Sequence, residues 1–469
     1  MNEKSINEEC GVFGIWGADN SASHLVYYGL HALQHRGQQG AGIVVKNKDK
    51  LALHRGTGWV TQVFNKEILD SLQGTAAIGH VRYPGVESHR IDFVHPFLFE
   101  SEKSGIALCH NGNLVNAKSV RSELESEGSI FHTRSDSELL AHLIKRSKSD
   151  NLVESLKSAL RKLHGAFAFL LLTENEMIAA LDSNGIKPLS IGRLGKAFVV
   201  ASETCAFEAI GAKFQQDVNP GEVVIFNDQG MRVESFAAET SRAVCSMEFI
   251  YIARPDSDIC GVNVHTARKA TGVALAAEAP VDADVVIAVP DSGASAAMGF
   301  AEATRIPYEI GLTKNRYIAR TFIQPSQDLR EIGVRMKLAA VPSVVAGKRV
   351  VIVDDSIVRG TTTMRIVKRL REAGAKEVHV RVSSPVIRYP VYYGIDIRTP
   401  EELIGHGRTV DEIRKMIGAD SLAFLSEQAL IDSINLPFAD EKYRGLCMSY
   451  FNGDYPTELW DYEETLYEN

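Results

Sequence analysis

The chain has 469 residues, 45% hydrophobic and 23% charged, which predicts two or three globular domains rather than one. Its net charge of -8 excludes an overall attraction to nucleic acid or anionic lipid. Six cysteines without a C-x-x-C pair do not form a disulfide framework, and the polar stretch Met1 to Glu9 does not resemble a signal peptide. We therefore expect a cytoplasmic protein with no membrane-spanning segment and no nucleic-acid partner.

A cysteine stands at the start of the first predicted strand. Cys10 opens an apolar run that continues to Trp16, and a helical period over residues 21–34 leads into a glycine-rich loop at residues 35–42. A packed structural thiol is the ordinary interpretation of such a cysteine, because free cysteine is among the most buried residue types. The segments that follow favour a catalytic thiol instead.

Two further predicted strands end in groups that bind or polarise a substrate. One strand ends with the cation Arg82, and the other ends with Asn111 and Gly112. Asp136 lies in a Ser-Asp-Ser-Glu segment whose capping-box spacing predicts a helix that runs to about residue 145. A surface ion pair is the alternative for Arg82, and a helix cap is the alternative for Asp136.

These segments together resemble the glutaminase domain of the N-terminal nucleophile amidotransferases. The resemblance implies that Cys10 is the first residue of the mature chain and attacks the side-chain amide of glutamine, with its own α-amino group as the base. It implies an oxyanion hole made by the Asn111 side chain and the Gly112 backbone N–H. It further implies that Arg82 binds the α-carboxylate of glutamine and that Asp136 binds its α-amino group.

The same resemblance sets the boundaries of the amino-terminal half. It implies a propeptide at residues 1–9 and a four-layer αββα domain, with two sheets between helices, over residues 10–235. Related enzymes follow the arginine-aromatic pair with a small residue and threonine, whereas Pro84-Gly85 stands here. We expect this departure to change secondary contacts to glutamine and to leave the nucleophile unaffected.

The carboxy-terminal half, residues 236–469, alternates predicted strands and helices, which is typical of a parallel sheet. Residues 285–293 predict a strand that ends in a tight turn at Asp291, Ser292 and Gly293. A turn that precedes a helix offers backbone N–H groups to a diphosphate. An ordinary strand-to-helix turn is the alternative.

Residues 349–363 contain the most specific pattern in the chain. A run of β-branched residues ends in Asp354 and Asp355, a short loop over residues 356–360 follows, and three threonines open a helix. The loop predicts a phosphate site, and the paired carboxylates call for Mg²⁺ or ribose hydroxyls as partners. The chain has no Gly-x-x-x-x-Gly-Lys-Ser/Thr pattern. Aspartates that only cap the next helix are the alternative.

This loop resembles the phosphoribosylpyrophosphate-binding loop of the type I phosphoribosyltransferases. The resemblance implies a Mg²⁺ site at Ser292, Asp354 and Asp355. The implied contacts to phosphoribosylpyrophosphate are Asp291, Ser292, Gly293, Lys314, Arg316, Lys337, Asp354, Asp355, Ser356, Ile357, Val358, Arg359, Gly360, Thr361 and Thr362. The polar, aperiodic residues 311–335 are implied to close over the sugar phosphate, and a solvated basic surface is the alternative.

One branch of the related enzymes holds an iron–sulfur cluster with four thiolates. The corresponding positions here are Cys245, Val391, Cys447 and Tyr450, so two sulfurs are missing. Valine and tyrosine do not replace thiolate ligands to iron. We expect no cluster, and we expect Cys245 and Cys447 to be packed free thiols.

Nearly the whole chain resembles the family of glutamine phosphoribosylpyrophosphate amidotransferases. The resemblance implies conversion of glutamine and phosphoribosylpyrophosphate to 5-phosphoribosylamine, glutamate and pyrophosphate, the first step of de novo purine biosynthesis. It also implies a homo-oligomer, a dimer or tetramer, that purine nucleotides inhibit. Amination of a different sugar phosphate is disfavoured by the Asp354-Asp355 loop. A non-catalytic nucleotide-binding regulator is disfavoured by the intact Cys10, Asn111 and Asp136.

Overall fold

The computed structural model describes residues 10–48, 50–83, 91–100, 105–315, 338–394 and 399–463. The predicted propeptide, Pro84-Gly85, Arg316, Lys337 and most of the predicted closing segment lie outside the described residues. Within the described ranges, no helix is long and apolar enough to cross a membrane.

The amino-terminal part contains two antiparallel sheets. Its strands are β1 (Gly11–Trp16), β2 (Gly40–Asn47), β3 (Lys50–Thr57), β4 (Ala76–Arg82), β5 (Phe97–Glu100), β6 (Gly105–Leu114), β7 (Gly165–Leu172), β8 (Met177–Leu181), β9 (Ser190–Leu194), β10 (Ala197–Ala201), β11 (Lys213–Asp217), β12 (Glu222–Asn227) and β13 (Gly230–Ser235). The first sheet has the order β11-β9-β10-β1-β4-β2-β3, and the second has the order β13-β12-β8-β7-β6-β5. The helices are α1 (Ala22–Ala32), α2 (Val60–Val63), α3 (Lys66–Ser71), α4 (Ala117–Ser126), α5 (Ser137–Arg146), α6 (Leu152–Leu160) and α7 (Cys205–Ile210).

The alternation of side chains along β1 explains why these elements form four layers. Val12 joins Ile78 and Leu170 in the core between the two sheets. The next residue, Phe13, points to the opposite face and joins Val26 of α1 in a second core. Residues of α5 and α6 cover the outer face of the second sheet. The predicted four-layer αββα arrangement is therefore confirmed.

The carboxy-terminal part is built on a parallel sheet with the order β17-β20-β21-β22. The strands of this part are β14 (Val244–Cys245), β15 (Asp258–Ile259), β16 (Val262–Asn263), β17 (Val285–Ala288), β18 (Leu312–Lys314), β19 (Leu338–Ala340), β20 (Arg349–Asp354), β21 (Glu377–Val382), β22 (Ser421–Phe424) and β23 (Leu446–Cys447). The helices are α8 (Val264–Glu278), α9 (Ala294–Thr304), α10 (Pro342–Val345), α11 (Thr361–Glu372), α12 (Val410–Ile417), α13 (Glu427–Ile434) and α14 (Ser449–Asn452). A single π-helical turn, Glu248–Ile252, precedes them.

The two strands β17 and β20 are buried on both faces, as their continuous apolar sequences predict. Val286 and Val351 lie in the core shared with α8 and α9. Ile287 and Ile352 lie in the core on the other side, with residues of α11 and α12. The predicted parallel-sheet domain is confirmed, and the carboxyl ends of β17 and β20 lie next to each other.

The start of α5 differs from the prediction. The helix begins at Ser137, and the backbone N–H of Ser135 donates to Thr133 Oγ1 at 3.1 Å rather than to Glu138, so the predicted capping box of Ser135 and Glu138 is wrong. The carboxylate of Glu138 instead accepts hydrogen bonds from the backbone N–H groups of His132 and Thr133, each at 2.8 Å. This turn contact leaves Asp136 available for a partner in the sheet.

Helices α8 and α9 approach each other so closely that glycine is required where they touch. A methyl group on Gly299 would lie 2.0 Å from the carbonyl oxygen of Lys269, and one on Gly272 would lie 1.9 Å from that of Ala296. Both obstacles are backbone atoms, which cannot rotate out of the way.

We expect Gly299→Ala to lower the free energy of unfolding by about 1–3 kcal/mol, because the added methyl forces the two helices apart. Met298→Ala, at the exposed neighbouring position, is the control and changes it by no more than about 0.5 kcal/mol. Urea unfolding measures both. Equal stability of Gly299→Ala and the unchanged protein would contradict the close approach.

Candidate active sites

The predicted nucleophile lies where β1 and β4 adjoin. Gly11 is paired with Val81 in the antiparallel register, which brings Cys10 next to Arg82. The Cys10 thiol points to the carbonyl oxygen of Tyr83, with 3.9 Å between sulfur and oxygen. Burial lowers the pKa of Arg82, and the charge of the Cys10 side chain opposes that shift. The register therefore places the thiol and the guanidinium at the same corner of the sheet.

The glycine-rich loop lies against this corner. A methyl group on Gly37 would be 2.5 Å from the backbone of Arg82, so glycine allows the loop to touch the end of β4. The preceding residue, Arg36, is fully buried and donates from Nε to the carbonyl oxygen of Cys10 at 3.2 Å. The loop thus holds the backbone of the predicted nucleophile.

The predicted oxyanion donors lie on β6, which reaches the same corner from the second sheet. His80 Nε2 contacts the carbonyl oxygen of His110 at 3.0 Å and so links β4 to β6. Asn111 is buried, and its Nδ2 has no hydrogen-bond partner among the described residues. A buried unpaired donor costs free energy, so this N–H group is free to donate to a ligand oxygen. Gly112 has a φ of +142°, and a methyl group there would lie 2.1 Å from the carbonyl oxygen of Ala166.

Asp136 lies beside the same strand. Its Oδ2 accepts a hydrogen bond from the backbone N–H of Leu114 at 2.9 Å, and its Oδ1 is 3.6 Å from His110 Nδ1. Burial on its own raises the pKa of Asp136, but His110 and the hydrogen bonds outweigh burial and leave that pKa below its ordinary value. An ionised carboxylate is a suitable partner for an ammonium group. The roles of Cys10, Arg82, Asn111, Gly112 and Asp136 stay predictions.

The second candidate site lies at the carboxyl ends of β17 and β20. The backbone N–H of Val289 donates to the carbonyl oxygen of Val353 at 2.9 Å. A methyl group on Gly293 would lie 2.6 Å from that same oxygen. This tight contact places the Ser292 hydroxyl in hydrogen-bond contact with the carboxylate of Asp355.

The paired carboxylates are almost covered, since Asp354 is 7% exposed and Asp355 is 5% exposed. Burial and the charge of Asp355 raise the pKa of Asp354 well above its ordinary value. Burial also raises the pKa of Asp355, against the hydrogen bonds from Ser292 and Ser356 and the charge of Arg268. Two adjacent buried carboxyl groups whose pKa values are both raised favour a cation or hydroxyl donors as additional partners.

The loop after the paired carboxylates presents peptide groups rather than side chains. The side chains of Ile357 and Val358 are buried in the core, so a ligand could contact only their backbone. Gly360 has a φ of +74°, and a methyl group there would lie 2.3 Å from the Ile404 side chain. The exposed Thr361 and Thr362 open α11, where backbone N–H groups have no acceptor within the helix. These features suit a bound phosphate.

Two of the predicted basic contacts already have acidic partners. Arg359 Nη2 lies 2.7 Å from Glu402 Oε2, and Lys314 Nζ lies 3.5 Å from Asp291 Oδ2. Lys314 and Asp291 are both more than half exposed. A phosphate would therefore compete with a carboxylate for each of these cations.

The four positions that correspond to the cluster ligands of related enzymes lie in the buried core of the carboxy-terminal part. Cys245 and Cys447 are paired across β14 and β23. Cys245 Sγ lies 3.3 Å from Tyr450 Oη, and burial raises the pKa of the Cys447 thiol. The residues present, including Val391, do not fit a cluster held by four thiolates, because only two of them supply sulfur.

A group of four buried charges lies outside the sequence-based predictions. Arg36, Glu203, Glu248 and Arg268 are all at most 5% exposed. Glu248 carried a usable signal, because it is the single charge in the apolar run of residues 243–253. A charge in such a run requires a buried partner, although its sequence position does not reveal which one.

Comparison with known proteins defines the class. Residues 94–209 match the family described as glutamine amidotransferase domain, and residues 268–385 match the family described as phosphoribosyl transferase domain. The chain is an enzyme that joins an amidotransferase domain to a phosphoribosyltransferase domain.

Similar proteins narrow that class. The amidophosphoribosyltransferase of Bacillus subtilis (strain 168) is 57% identical over 464 residues, covering 99% of this chain and 97% of the relative. That of Staphylococcus aureus (strain Mu50) is 52% identical over 465 residues, covering 99% of this chain and 94% of the relative. The chain belongs to the amidophosphoribosyltransferase family.

Solved structures agree with this assignment. Glutamine phosphoribosylpyrophosphate amidotransferase from B. subtilis, complexed with ADP and GMP, has a TM-score of 0.92 at 57% identity and covers 97% of this chain and 99% of that chain. A structure described as the allosteric regulatory enzyme of purine biosynthesis has a TM-score of 0.94 at 57% identity, with 97% of each chain covered.

We expect Asp354→Asn to stabilise the ligand-free protein at pH 8 more than at pH 5. Because the pKa of Asp354 is raised on folding, the folded state binds more protons than the unfolded state above about pH 4, and stability falls as the pH rises. Asparagine cannot ionise, so the variant does not lose stability at this position as the pH rises. Thermal unfolding at both pH values measures it, with the exposed Asp19→Asn as control. An equal shift at both pH values would contradict the buried charge.

We expect anaerobically purified protein to contain neither iron nor acid-labile sulfide in stoichiometric amounts, since two of the four positions lack sulfur. Metal analysis and a colorimetric sulfide assay measure this. One cluster per chain would show that the prediction is wrong.

Proposed function

We propose that this enzyme uses Cys10 to release ammonia from glutamine and delivers that ammonia to phosphoribosylpyrophosphate bound at the Asp354-Asp355 loop. The products are 5-phosphoribosylamine, glutamate and pyrophosphate. The observation that supports the proposal is the corner at which Cys10, just before β1, lies beside Arg82 at the end of β4, while Asn111, whose Nδ2 has no partner among the described residues, lies on the adjoining β6.

The glutaminase step begins with a proton transfer. The α-amino group of Cys10, with a pKa near ~8, accepts the thiol proton, and the sulfur attacks the amide carbon of glutamine. This requires removal of residues 1–9, because an amide nitrogen is not a base. Asn111 Nδ2 and the Gly112 N–H donate to the oxyanion, and one such donor is often worth about 3 kcal/mol. The protonated α-amino group returns that proton to the leaving nitrogen, the carbon–nitrogen bond breaks and ammonia leaves. Water then hydrolyses the thioester to glutamate and the free Cys10 thiol.

Substrate orientation is the role we assign to two charged side chains. Arg82 forms paired hydrogen bonds with the α-carboxylate, and the ionised Asp136 binds the α-ammonium. Together they place the side-chain amide at the sulfur, which converts a bimolecular encounter into an intramolecular attack.

The synthetic step takes place at the second site. The peptide groups of residues 356–360 and the N–H groups of Thr361 and Thr362 hold the 5′-phosphate. Ammonia forms a bond to the anomeric carbon while the bond from that carbon to pyrophosphate breaks. The oxygen donors Ser292, Asp354 and Asp355 fit Mg²⁺, which prefers oxygen ligands, and the bound ion supplies positive charge for the departing diphosphate.

The contact between the two halves supports transfer of ammonia over a short path. Asn113, at the end of the oxyanion strand β6, donates from Nδ2 to the carbonyl oxygen of Tyr392 at 2.7 Å. A methyl group on Gly394 would lie 3.4 Å from the backbone of Gly112. Residues 392–394 of the carboxy-terminal half therefore touch the strand that holds both predicted oxyanion donors.

We also propose that purine nucleotides bind at the phosphate loop, because a nucleoside 5′-phosphate shares the ribose 5-phosphate group with the substrate. The B. subtilis relative was solved with ADP and GMP, which supports this assignment. A homo-oligomeric state and a cytoplasmic location remain predictions.

We expect Cys10→Ala to abolish glutamine-dependent synthesis while ammonia-dependent synthesis stays within about threefold, because only the first site needs the thiol. Pyrophosphate release with glutamine or with ammonium chloride measures both rates. Cys260→Ser, at a second partly buried thiol, is the control and retains both activities.

Mass spectrometry of the same preparations adds a check, since the active chain should begin at Cys10. Retention of glutamine-dependent turnover in Cys10→Ala, or full activity in a chain that keeps residues 1–9, would show that the proposed nucleophile is wrong.

A further inference from the structure

Two histidines lie buried behind the predicted glutamine site, and the proposed chemistry uses neither. His80 is on β4, two positions before Arg82, and His95 lies two positions before β5. His80 is fully buried, and His95 is 7% exposed. Because side chains alternate along a strand, His80 points to the same face of β4 as Arg82. A polar ring in this position requires an explanation, since burial of imidazole without full hydrogen bonding costs free energy.

The ring of His80 makes a contact that determines its tautomer. Its Nε2 lies 3.0 Å from the carbonyl oxygen of His110. A carbonyl oxygen only accepts, so Nε2 carries the proton and donates it. The other ring nitrogen, Nδ1, is buried and has no hydrogen-bond partner among the described residues. The ring of His80 therefore directs its donor at β6, the strand that carries the predicted oxyanion donors.

The strand β6 benefits from such a contact because one of its neighbours ends early. β5 is the edge strand of the second sheet and pairs with β6 only as far as Leu108. Beyond that point, β6 keeps a single strand partner, β7, within the described ranges. The segment with Asn111 and Gly112 is therefore fixed by a ladder on one side only. The His80 ring supplies a further fixed bond there, at the peptide group that joins His110 to Asn111.

Both imidazoles are neutral, which suits a donor beside Arg82. Burial is the main cause that lowers the pKa of His80 to about 3, and the charge of Arg82 contributes to that shift. Burial also lowers the pKa of His95 well below its ordinary value, with contributions from His80, His110, Arg82 and Arg55. A neutral N–H group can orient a peptide without adding a second positive charge beside the predicted α-carboxylate site.

His95 packs against His80 and limits its rotation. The two ring centroids are 4.6 Å apart with an angle of 68° between the rings, and His95 Nδ1 lies 3.4 Å from His80 Nε2. His95 in turn meets the ring of Phe97 edge to face, with 4.3 Å between centroids. The His80 ring is therefore held in the orientation in which its donor meets the carbonyl oxygen of His110.

We propose that His80 is a positioning residue for the oxyanion hole: its Nε2–H fixes the peptide between His110 and Asn111, and with it the directions of the Asn111 amide and the Gly112 N–H. This inference rests on the proposed function. In this role His80 acts through β6 and not on glutamine itself. The two donors meet a full negative charge only after the thiol has attacked, so the contribution belongs to the transition state. Loss of the contact therefore lowers the kcat for glutamine hydrolysis more than it raises the KM.

The test compares His80→Gln with His80→Asn in the full-length processed enzyme. In His80→Gln the introduced Nε2 is as many bonds from Cβ as the imidazole Nε2, so it can donate to the same carbonyl oxygen. The shorter amide in His80→Asn corresponds to the imidazole Nδ1 and does not reach that oxygen. Both introduced side chains are uncharged amides, so the cost of burying an amide is common to the two variants.

We expect His80→Asn to lower the kcat for glutamine hydrolysis about thirtyfold, with the KM for glutamine within about threefold, because one misplaced oxyanion donor costs on that order. His80→Gln should keep at least about a third of the kcat, since the hydrogen bond is restored. Initial rates of glutamate formation over a range of glutamine concentrations measure both constants.

Two further measurements separate positioning from a general loss of structure. Alkylation of the Cys10 thiol by iodoacetamide forms no oxyanion, so its rate should stay within about twofold in both variants. Ammonia-dependent synthesis at the second site should stay within about twofold as well. A merely structural role of His80 predicts instead that His80→Asn changes the alkylation rate and alters kcat and KM together.

The matched control is His54→Asn. His54 Nε2 also contacts a carbonyl oxygen, that of Val63 at 3.2 Å. This contact joins β3 to α2 in the same half of the chain, and neither element carries a predicted site residue. We expect the control to change the kcat for glutamine hydrolysis by less than about twofold.

His95→Leu leaves His80 in place and provides a second variant if His80→Asn does not fold. We expect it to lower the same kcat about fivefold at an unchanged KM, because the His80 ring can then turn away from the carbonyl oxygen. An unchanged kcat in His95→Leu would count against the inference.

Equal kcat values in His80→Gln and His80→Asn would overturn the inference. A loss in His80→Asn that falls on KM alone, or that appears equally in the alkylation rate, would overturn it too. Failure of the proposed function gives a different result: the unchanged enzyme then releases no glutamate from glutamine, and the inference fails with it.

Discussion

The relation between the two halves depends on full pairing of charges that have no access to water. Arg36 is surrounded by Glu203 from the amino-terminal half and Glu248 from the segment that leads into the parallel sheet. Removing one partner from a buried pair leaves a charge that neither solvent nor protein neutralises, which is strongly destabilising. The positions of the two halves are therefore restricted to those in which these carboxylates meet the same guanidinium.

Much of the second site could be predicted from the sequence because its signals are local. A β-branched strand, two carboxylates, a loop with glycine and a run of threonines occupy consecutive positions, and the structure forms β20, the loop and α11 in that order. The start of α5 shows where local reasoning fails. The predicted cap did not form, because Glu138 bonds to residues 132 and 133 and Asp136 bonds to Leu114 of a neighbouring strand.

Contacts between distant parts of the chain could not be predicted in this way. Arg36 and Glu248 are 212 positions apart, and neither periodicity nor propensity relates them. The same applies to Gly112, whose lack of a side chain is explained only by the backbone of β7 beside it. The sequence does mark Glu248 and Arg36 as charges beside apolar residues or glycine, but the pairing itself arises from tertiary structure.

The inward direction of Ile357 and Val358 has a consequence for ligand preference at the proposed phosphate loop of this chain. Only peptide groups face the proposed ligand at those positions. Substitutions of the two buried side chains therefore change the packing of the core, and with it the stability, rather than the ligand selectivity. If the proposed site is right, changes of ligand preference would fall on the solvent-facing threonines at the start of α11 and on the exposed Asp291.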